Sequence, residues 1–362
     1  MGVNLTPITV KEVVDLDAFR GRTIAVDAFN VLYQFLALIR TREGRPLSDR
    51  EGRVTSHLVG LAFRTTRLIA DHGVKLVFVF DGLPPQLKRR EVEKRGEVKR
   101  KAEAEYREAV DAGDYAKAFS KAVQTSRLTG EMILDAKRLL DLLGVPWVQA
   151  PGEGEAQAAH MARRGDVWGS SSRDYDSLLF GTPRLVRYLT IQGQEWLPSK
   201  GRARRLEPEL IRLASFLSHH GITRKQLVDM SMLIGTDFNE GVKGIGPKTA
   251  LKLIRKHGSL EDMPPEVHSK LDADIEGIRG IYLKPDVTDD YEIIHGKLKE
   301  DALYGFLCGE RAFSRDRAEV VVKRMKAAQT QRSLSDWIGA VSYTHLTLPT
   351  SCVQCRSRWW PD

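Results

Sequence analysis

Apolar residues follow two alternating patterns along the chain. Arg22 to Asp27 (RTIAVD) and Lys75 to Asp81 (KLVFVFD) are continuous apolar runs, each ending in a carboxylate. Unbroken runs of this length suit strands buried on both faces of a parallel sheet. Val145 to Gln149 and Val167 to Ser171 read as a third and a fourth strand. Between the runs the period lengthens. Val54 to Ala70 and Glu131 to Leu143 repeat apolar residues at helical spacing, the second through Met132, Ala136, Leu139, Leu140 and Leu143, and Gly144 stops it. Strands alternating with helices predict an α/β fold, a mostly parallel central sheet with helices on both faces.

Two segments break this rhythm. Pro84 to about Ser126 is densely charged, with Lys88, Arg89, Arg90, Lys94, Arg95, Lys99, Arg100 and Lys101 early in it and Glu residues interleaved. A charge run is usually a solvated helical face. This one follows a strand-end Asp directly, at the sheet edge where α/β folds bind ligands. From Glu207 to Gly258 the pattern reads as helical again. Within it Thr223 to Ile234 leads through Gly235-Thr236-Asp237 to Val242-Lys243-Gly244-Ile245-Gly246-Pro247-Lys248. A Gly-x-Gly turn between amphipathic helices is a helix-hairpin-helix signature. Gly244 and Gly246 let backbone approach a phosphate, the next helix N-terminus binds the anion, and Lys248 adds charge. The competing reading is a helix–turn–helix with ordinary glycine caps.

Composition narrows the partners. The 362 residues are 42% hydrophobic, enough for one large or two ordinary domains. Fifty-six Lys and Arg against 48 Asp and Glu give a net charge of +8, which favours a polyanionic partner. No apolar run nears the roughly 20 residues of a membrane helix, and an apolar leader is missing at the N-terminus. Met1-Gly2 with Thr6 fits a myristoylation pattern too short to carry weight. Cys308, Cys352 and Cys355 exclude a disulfide framework and suit a reducing compartment. Cys352 and Cys355 form a lone CxxC with only His345 nearby, too few ligands for zinc. Val341 to Asp362 has no periodicity and reads as foreign to the fold.

Seven acids stand out by position. Asp27 and Asp81 end strands, Glu153 and Glu155 follow the third, Asp174 and Asp176 follow the fourth, and Asp237 precedes the hairpin. Parallel strands end on one edge, so these side chains could share a cleft. Each could instead cap a helix or pair with an Arg. Acids packed this densely repel one another unless cations neutralise them, and oxygen ligands with room for water select Mg²⁺ or Mn²⁺. Two such ions stabilise both oxygens of a phosphodiester displacement. The Gly-x-Gly at 152–154 lacks the remainder of a phosphate-binding loop.

Five motifs carry a resemblance that runs from Met1 to about Ile338: AVDAFNVLYQFL at 25–36, VFVFDGLPPQLK at 77–88, APGEGEAQAA at 150–159, SSRDYDSLLFG at 171–181 and IGTDFNEGVKGIGPKTAL at 234–251. The sequence resembles the flap endonucleases of the XPG family of structure-specific 5′ nucleases, in their archaeal form. The resemblance implies a PIN-like nuclease core, and a flap endonuclease with 5′–3′ exonuclease activity acting on branched DNA in replication, in Okazaki fragment processing, and in repair. It implies two Mg²⁺ ions held by Asp27, Asp81, Glu153 and Glu155, with Asp174, Asp176 and Asp237 completing the set. The charged insertion matches a helical arch, in which Lys88 and Arg95 match the cations on the scissile phosphate. Tyr33 matches the aromatic that stacks the terminal base, and Gly2 lies near the site. Arg40 to Val54 falls where the family places a hydrophobic wedge and 3′-flap pocket. Gly244, Gly246 and Lys248 match the hairpin on downstream duplex, an H2TH-type region. Gln331, Leu334, Trp337 and Ile338 match a sliding-clamp (PCNA) peptide, with Lys323 to Thr330 as its tether; the bland alternative is a helix docked on its own core. Gly152 stands where the family commonly has Ser, and Ile338 where it has an aromatic.

The implied organisation is a nuclease region over 1–130 with the arch at about 84–126, and a second over 131–258 with the hairpin at about 223–258. A C-terminal helical part of the same core spans 259–330, the clamp peptide 331–338 and the extraneous tail 341–362. A monomer in the cytoplasm, associated with the nucleoid, is expected, with no membrane partner. The rivals are an Exo-type 5′–3′ exonuclease and a catalytically silent DNA-junction binder.

Overall fold

The computed structural model describes residues 2–41, 45–83, 86–88, 100–101, 105, 108, 127–190, 193–197, 202–271 and 273–344. For 193–197, 202–205 and 331–344 the description is of the backbone. The strands are β1 (Glu12–Val13), β2 (Thr23–Asp27), β3 (Lys75–Phe80), β4 (Trp147–Gln149), β5 (Gly169–Ser171), β6 (Arg184–Arg187), β7 (Gly193–Leu197), β8 (Arg202–Leu206) and β9 (Glu209–Arg212). Seven form one sheet in the order β1-β9-β6-β5-β2-β3-β4, and β7 pairs with β8 alone.

The four expected strands lie side by side and parallel: β2 pairs with β3 and β5, and β3 with β4. β6 extends the parallel set, and β9 and β1 close that side antiparallel. The strand at Glu209–Arg212 corrects the helical reading of 207–258 at its start. Four residues are too short to show a period, and pairing with β6 on one side and β1 on the other decides the conformation. It also buries Glu209, whose carboxylate binds Arg187 at 3.0 Å and Lys11.

The unbroken apolar runs are explained by helices on both faces. In β3, Leu76, Phe78 and Phe80 enter one cluster while Val77 and Val79 enter another; in β2, Ile24 and Val26 oppose Ala25 in the same way. The first face is covered by α1 (Ala28–Leu38), a helical stretch from Ser56 to Ala70 with a π turn at Leu61–Thr65, and α2 (Gly130–Leu143). The second is covered by α3 (Gly154–Arg164) through Ala158, Met161 and Ala162. A further cluster joins the short helix α4 (Asp176–Leu179) to α5 (Arg224–Ile234), α6 (Pro247–His257) and α7 (Ile275–Leu283).

The last helix, α8, runs from Arg315 to Thr344. It contains Lys323 to Thr330, which corrects the expected tether. Val321, Val322, Met325 and Ala328 bury one stripe of it against the first face, and that burial holds the segment helical. Of the extraneous-looking tail, 341–344 continue this helix and 345–362 lie outside the described residues. Most of the arch region, with Arg95, also lies outside them. Among the described residues, no helix is long and apolar enough to cross a membrane.

Candidate active site

Parallel strands bring their carboxyl ends to one edge of the sheet, and the acids gather there. Asp27 is the last residue of β2, and Asp81 follows β3 directly. Glu153 and Glu155 lie in the turn after β4 and the first turn of α3. Asp174 and Asp176 follow β5, Asp176 opening α4. Asp237 comes from the turn that leaves α5. Asp27 and Asp176 are buried and the other five half-buried.

Electrostatics ties the seven into one site. Burial raises the carboxyls of Asp27, Asp81, Glu155, Asp174 and Asp176, and their neighbours raise them further. Asp27 feels Asp81, Asp174 and Glu153; Glu155 feels Asp27, Asp176 and Asp174; Asp174 and Asp176 both feel Asp237. Asp81 is pushed up to about 6 and Asp176 to about 8. Lys88 answers this charge from within. Its Nζ donates to Glu153 Oε2 at 2.6 Å and lies 3.7 Å from Asp237 Oδ2. Burial alone would lower this ammonium, but Glu153, Asp237 and Asp81 outweigh burial and raise it. A positive charge among carboxylates that hold protons this tightly marks a place built for cations.

Local geometry aims the side chains. Asp27 Oδ1 accepts from the amide of Asn30 at 3.0 Å and caps α1, so the capping role and the cluster role coexist. Asn30 Nδ2 then donates to Asp174 Oδ2 at 2.9 Å. Ser177 Oγ donates to Glu155 Oε1 at 3.1 Å, and the Val3 amide to Asp176 Oδ1 at 2.9 Å. The Gly154 amide donates to Asp81 Oδ1 at 2.7 Å, and a Cβ on Gly154 would meet that oxygen at 2.5 Å. A side chain between the two Glu residues would therefore displace the Asp81 carboxylate from this amide. Gly2 also packs on the site, its missing Cβ only 2.6 Å from Asp176 Oδ1. Gly152 has room for the Ser expected there, the nearest atom to an added Cβ being Asp286 O at 3.4 Å.

Asn30 and Ser177 were not singled out from sequence. Asn30 stands three residues after Asp27, the spacing at which a cap returns to the helix, and that spacing was the available signal. A separate surface trio, Asp15, Asp17 and His72, gathers its ligand atoms within 4.8 Å. Its Asp17 is already held by Arg20 at 2.8 Å.

The remaining sequence-predicted residues lie around this edge or beyond it. Tyr33 stands on α1 with 38% of its surface exposed. Arg40 bridges its backbone to Pro46, and its Nε donates to Ala37 O at 3.2 Å. Beside it lies a cavity of about 260 Å³ lined by Thr41, Pro46, Ser48, Thr55, Arg311 and Phe313. The hairpin is built as read. Thr223 and Gln226 form a capping box at the start of α5, Gly244 takes a left-handed φ of 89°, and Gly246 caps α6 with Pro247 at its first position. Gly244, Gly246 and Lys248 are exposed, and Lys252, Arg255 and Lys256 continue the basic surface along α6. For Gln331, Leu334, Trp337 and Ile338 the backbone is helical, within α8.

The chain matches the XPG N-terminal domain over residues 1–103 and the XPG I-region over 144–237. It is 50% identical over 324 residues to flap endonuclease 1 of Methanopyrus kandleri, spanning 88% of this chain and 92% of that protein. It is 46% identical over 332 residues to flap endonuclease 1 of Ignicoccus hospitalis, spanning 91% and 93%. The solved flap endonuclease-1 from Methanococcus jannaschii superposes with a TM-score of 0.72 at 37% identity, covering 91% of this chain and 100% of that one. The catalytic core of Rad2 in complex with DNA substrate shares the fold at a TM-score of 0.65 and 23% identity, covering 89% and 97%. With these acids at the sheet edge and this extent of identity, the chain belongs to the flap endonuclease family of XPG-type nucleases.

Proposed function

We propose that the protein is a structure-specific 5′ flap endonuclease with 5′–3′ exonuclease activity, a hydrolase that cleaves DNA phosphodiesters with Mg²⁺. The observation that carries this reading is the seven-acid cluster with the Lys88 ammonium inside it. Carboxylates crowded together at a partly buried sheet edge fit hard divalent cations, and Asp27, Asp81, Glu153, Glu155, Asp174, Asp176 and Asp237 would hold them. When bound, two such ions supply positive charge against the attacking and leaving oxygens of the scissile phosphodiester.

The chain's own groups do the rest. Lys88 exchanges its Glu153 partner for the scissile phosphate and, with Arg95, stabilises charge growing there. Tyr33 offers an exposed ring on which the terminal base stacks. Gly244, Gly246 and Lys248 hold the downstream duplex by its phosphates, and the cavity beside Arg40 receives the 3′ end of the junction. Branched DNA is thus the substrate, and the enzyme works with the chromosome in the cytoplasm.

The test is a 5′-labelled double-flap substrate with and without Mg²⁺, beside a plain duplex and a single strand. Cleavage at the flap base, in Mg²⁺ only, is expected. Tight binding without cleavage would leave a junction-binding protein, and release of single nucleotides from duplex ends alone would leave an exonuclease.

A further inference from the structure

Tyr282 is a buried polar group that the reading so far does not use. It lies on α7, its side chain is fully buried, and its hydroxyl forms no hydrogen bond of ordinary geometry. Leaving a buried donor unmade costs about 1–3 kcal/mol, so a phenylalanine would be the simpler occupant. The ring cannot swing away to find a partner. It packs on Phe180 at 4.9 Å and on Phe238 at 5.4 Å between centroids.

Those two rings locate the side chain. Phe180 directly follows α4, the helix that Asp176 opens, and Phe238 adjoins Asp237. Arg224 clamps the same arrangement from behind, with Nε donating to Leu179 O at 2.9 Å and Nη2 to Tyr282 O at 2.6 Å. α7 is further locked to α5 by Arg279, whose Nε and Nη2 each donate to Asp229 at 2.7 Å. The phenol is therefore wedged between the two turns that carry Asp176 and Asp237. The carboxylates that act on it most strongly are those two, followed by Glu155, and with burial they keep its proton on. Thr236 Oγ1 donates to Asn239 Oδ1 at 2.8 Å and accepts from the Phe238 amide at 3.1 Å, which leaves one lone pair for a weak contact from the phenol.

We propose that Tyr282 is a positioning residue of the cation site, whose rigid hydroxyl, held no more than weakly by Thr236, donates a hydrogen bond to the Asp176–Asp237 side of the carboxylate cluster once a divalent cation draws those side chains into place. Such a donor orients a ligating carboxylate and favours its ionised form, as partners behind metal ligands generally do. The inference rests on the cation reading above. Its signature is asymmetric: the hydroxyl is weakly held without the cation and useful with it.

The experiment is Tyr282→Phe, read by thermal melts in EDTA and across a Mg²⁺ titration, by calorimetric Mg²⁺ affinity, and by flap-cleavage kcat and KM. In EDTA the variant should melt at or above the parent temperature. Its Mg²⁺ affinity should fall on the order of 10-fold, its Mg²⁺-induced rise in Tm should shrink, and kcat at fixed Mg²⁺ should drop with KM for DNA unchanged. Excess Mg²⁺ should restore most of kcat. Equal Mg²⁺ affinity in parent and variant overturns the inference and leaves the cation site standing. A variant that melts lower in EDTA and binds Mg²⁺ normally also overturns it, by making the hydroxyl structural. No Mg²⁺ response in the parent overturns the cation reading and this inference with it.

Discussion

Replacing Asp176 with Asn should stabilise the cation-free protein while abolishing cleavage, and the gain should grow with pH. Burial, with Asp237 and Asp174 beside it, pushes the Asp176 carboxyl from 3.8 to about 8. In the unfolded chain it titrates near 3.9, so between about pH 4 and pH 8 the folded state keeps a proton that the unfolded state has lost. The folded state then binds more protons, and stability falls as pH rises through that window. The span is about four pH units, each worth about 1.4 kcal/mol, so the full penalty at pH 8 is on the order of 5 kcal/mol. Asp174 and Asp237 are coupled to Asp176 and can take up the retained proton when Asn replaces it, so a smaller gain of about 2–5 kcal/mol is expected. Asn keeps an oxygen to accept the Val3 amide, now made at 2.9 Å. Thermal melts in EDTA should show the variant modestly more stable than the parent at pH 5 and several degrees more stable at pH 8. Mg²⁺ should raise the parent Tm more than the variant's and narrow the gap, and flap cleavage by the variant should be lost. A variant less stable than the parent at pH 8, or a gain indifferent to pH, would refute the repulsion argument.

Lys88→Met should lower the single-turnover cleavage rate more than flap affinity, and should destabilise the protein in EDTA because Glu153 and Asp237 lose the ammonium 2.6 and 3.7 Å away; rapid-quench kinetics beside melts check both. An effect on affinity alone would reduce Lys88 to plain electrostatic attraction. Lys248→Ala should weaken duplex binding and flatten the slope of log affinity against log salt by roughly one unit, measured by fluorescence anisotropy at several KCl concentrations; an unchanged slope would remove the hairpin from the phosphate contacts. Leu334→Ala with Trp337→Ala should abolish stimulation by a cognate sliding clamp and leave basal cleavage intact, whereas a fall in Tm with stimulation preserved would assign that part of α8 to the core.

The acidic edge was legible in the chain because its signals are local. A strand buried on both faces must be apolar throughout, so RTIAVD and KLVFVFD announced their own ends, and parallel pairing carries those ends to one side. Spacing alone placed Glu153, Glu155, Asp174 and Asp176 beside the next two strand ends, and the glycines of the hairpin marked a turn that chain geometry demands. The tertiary structure decided what sequence separation hides. Glu209–Arg212 is a strand only because β6 and β1 pair with it, and Lys323–Thr330 is helix rather than tether because Val321, Val322 and Met325 find a face of the core to cover. Lys88 meets Glu153 across 65 positions, and Val3 meets Asp176 across 173. Tyr282 had no signal at all. A tyrosine on an amphipathic helix reads as ordinary core, and only the packing of Phe180 and Phe238 against its ring sets a buried phenol between the turns that carry Asp176 and Asp237. Period and turn chemistry act over a few residues and are written where they act; which distant side chains share one charged cavity is settled by burial and repulsion, which exist only once the chain has closed on itself.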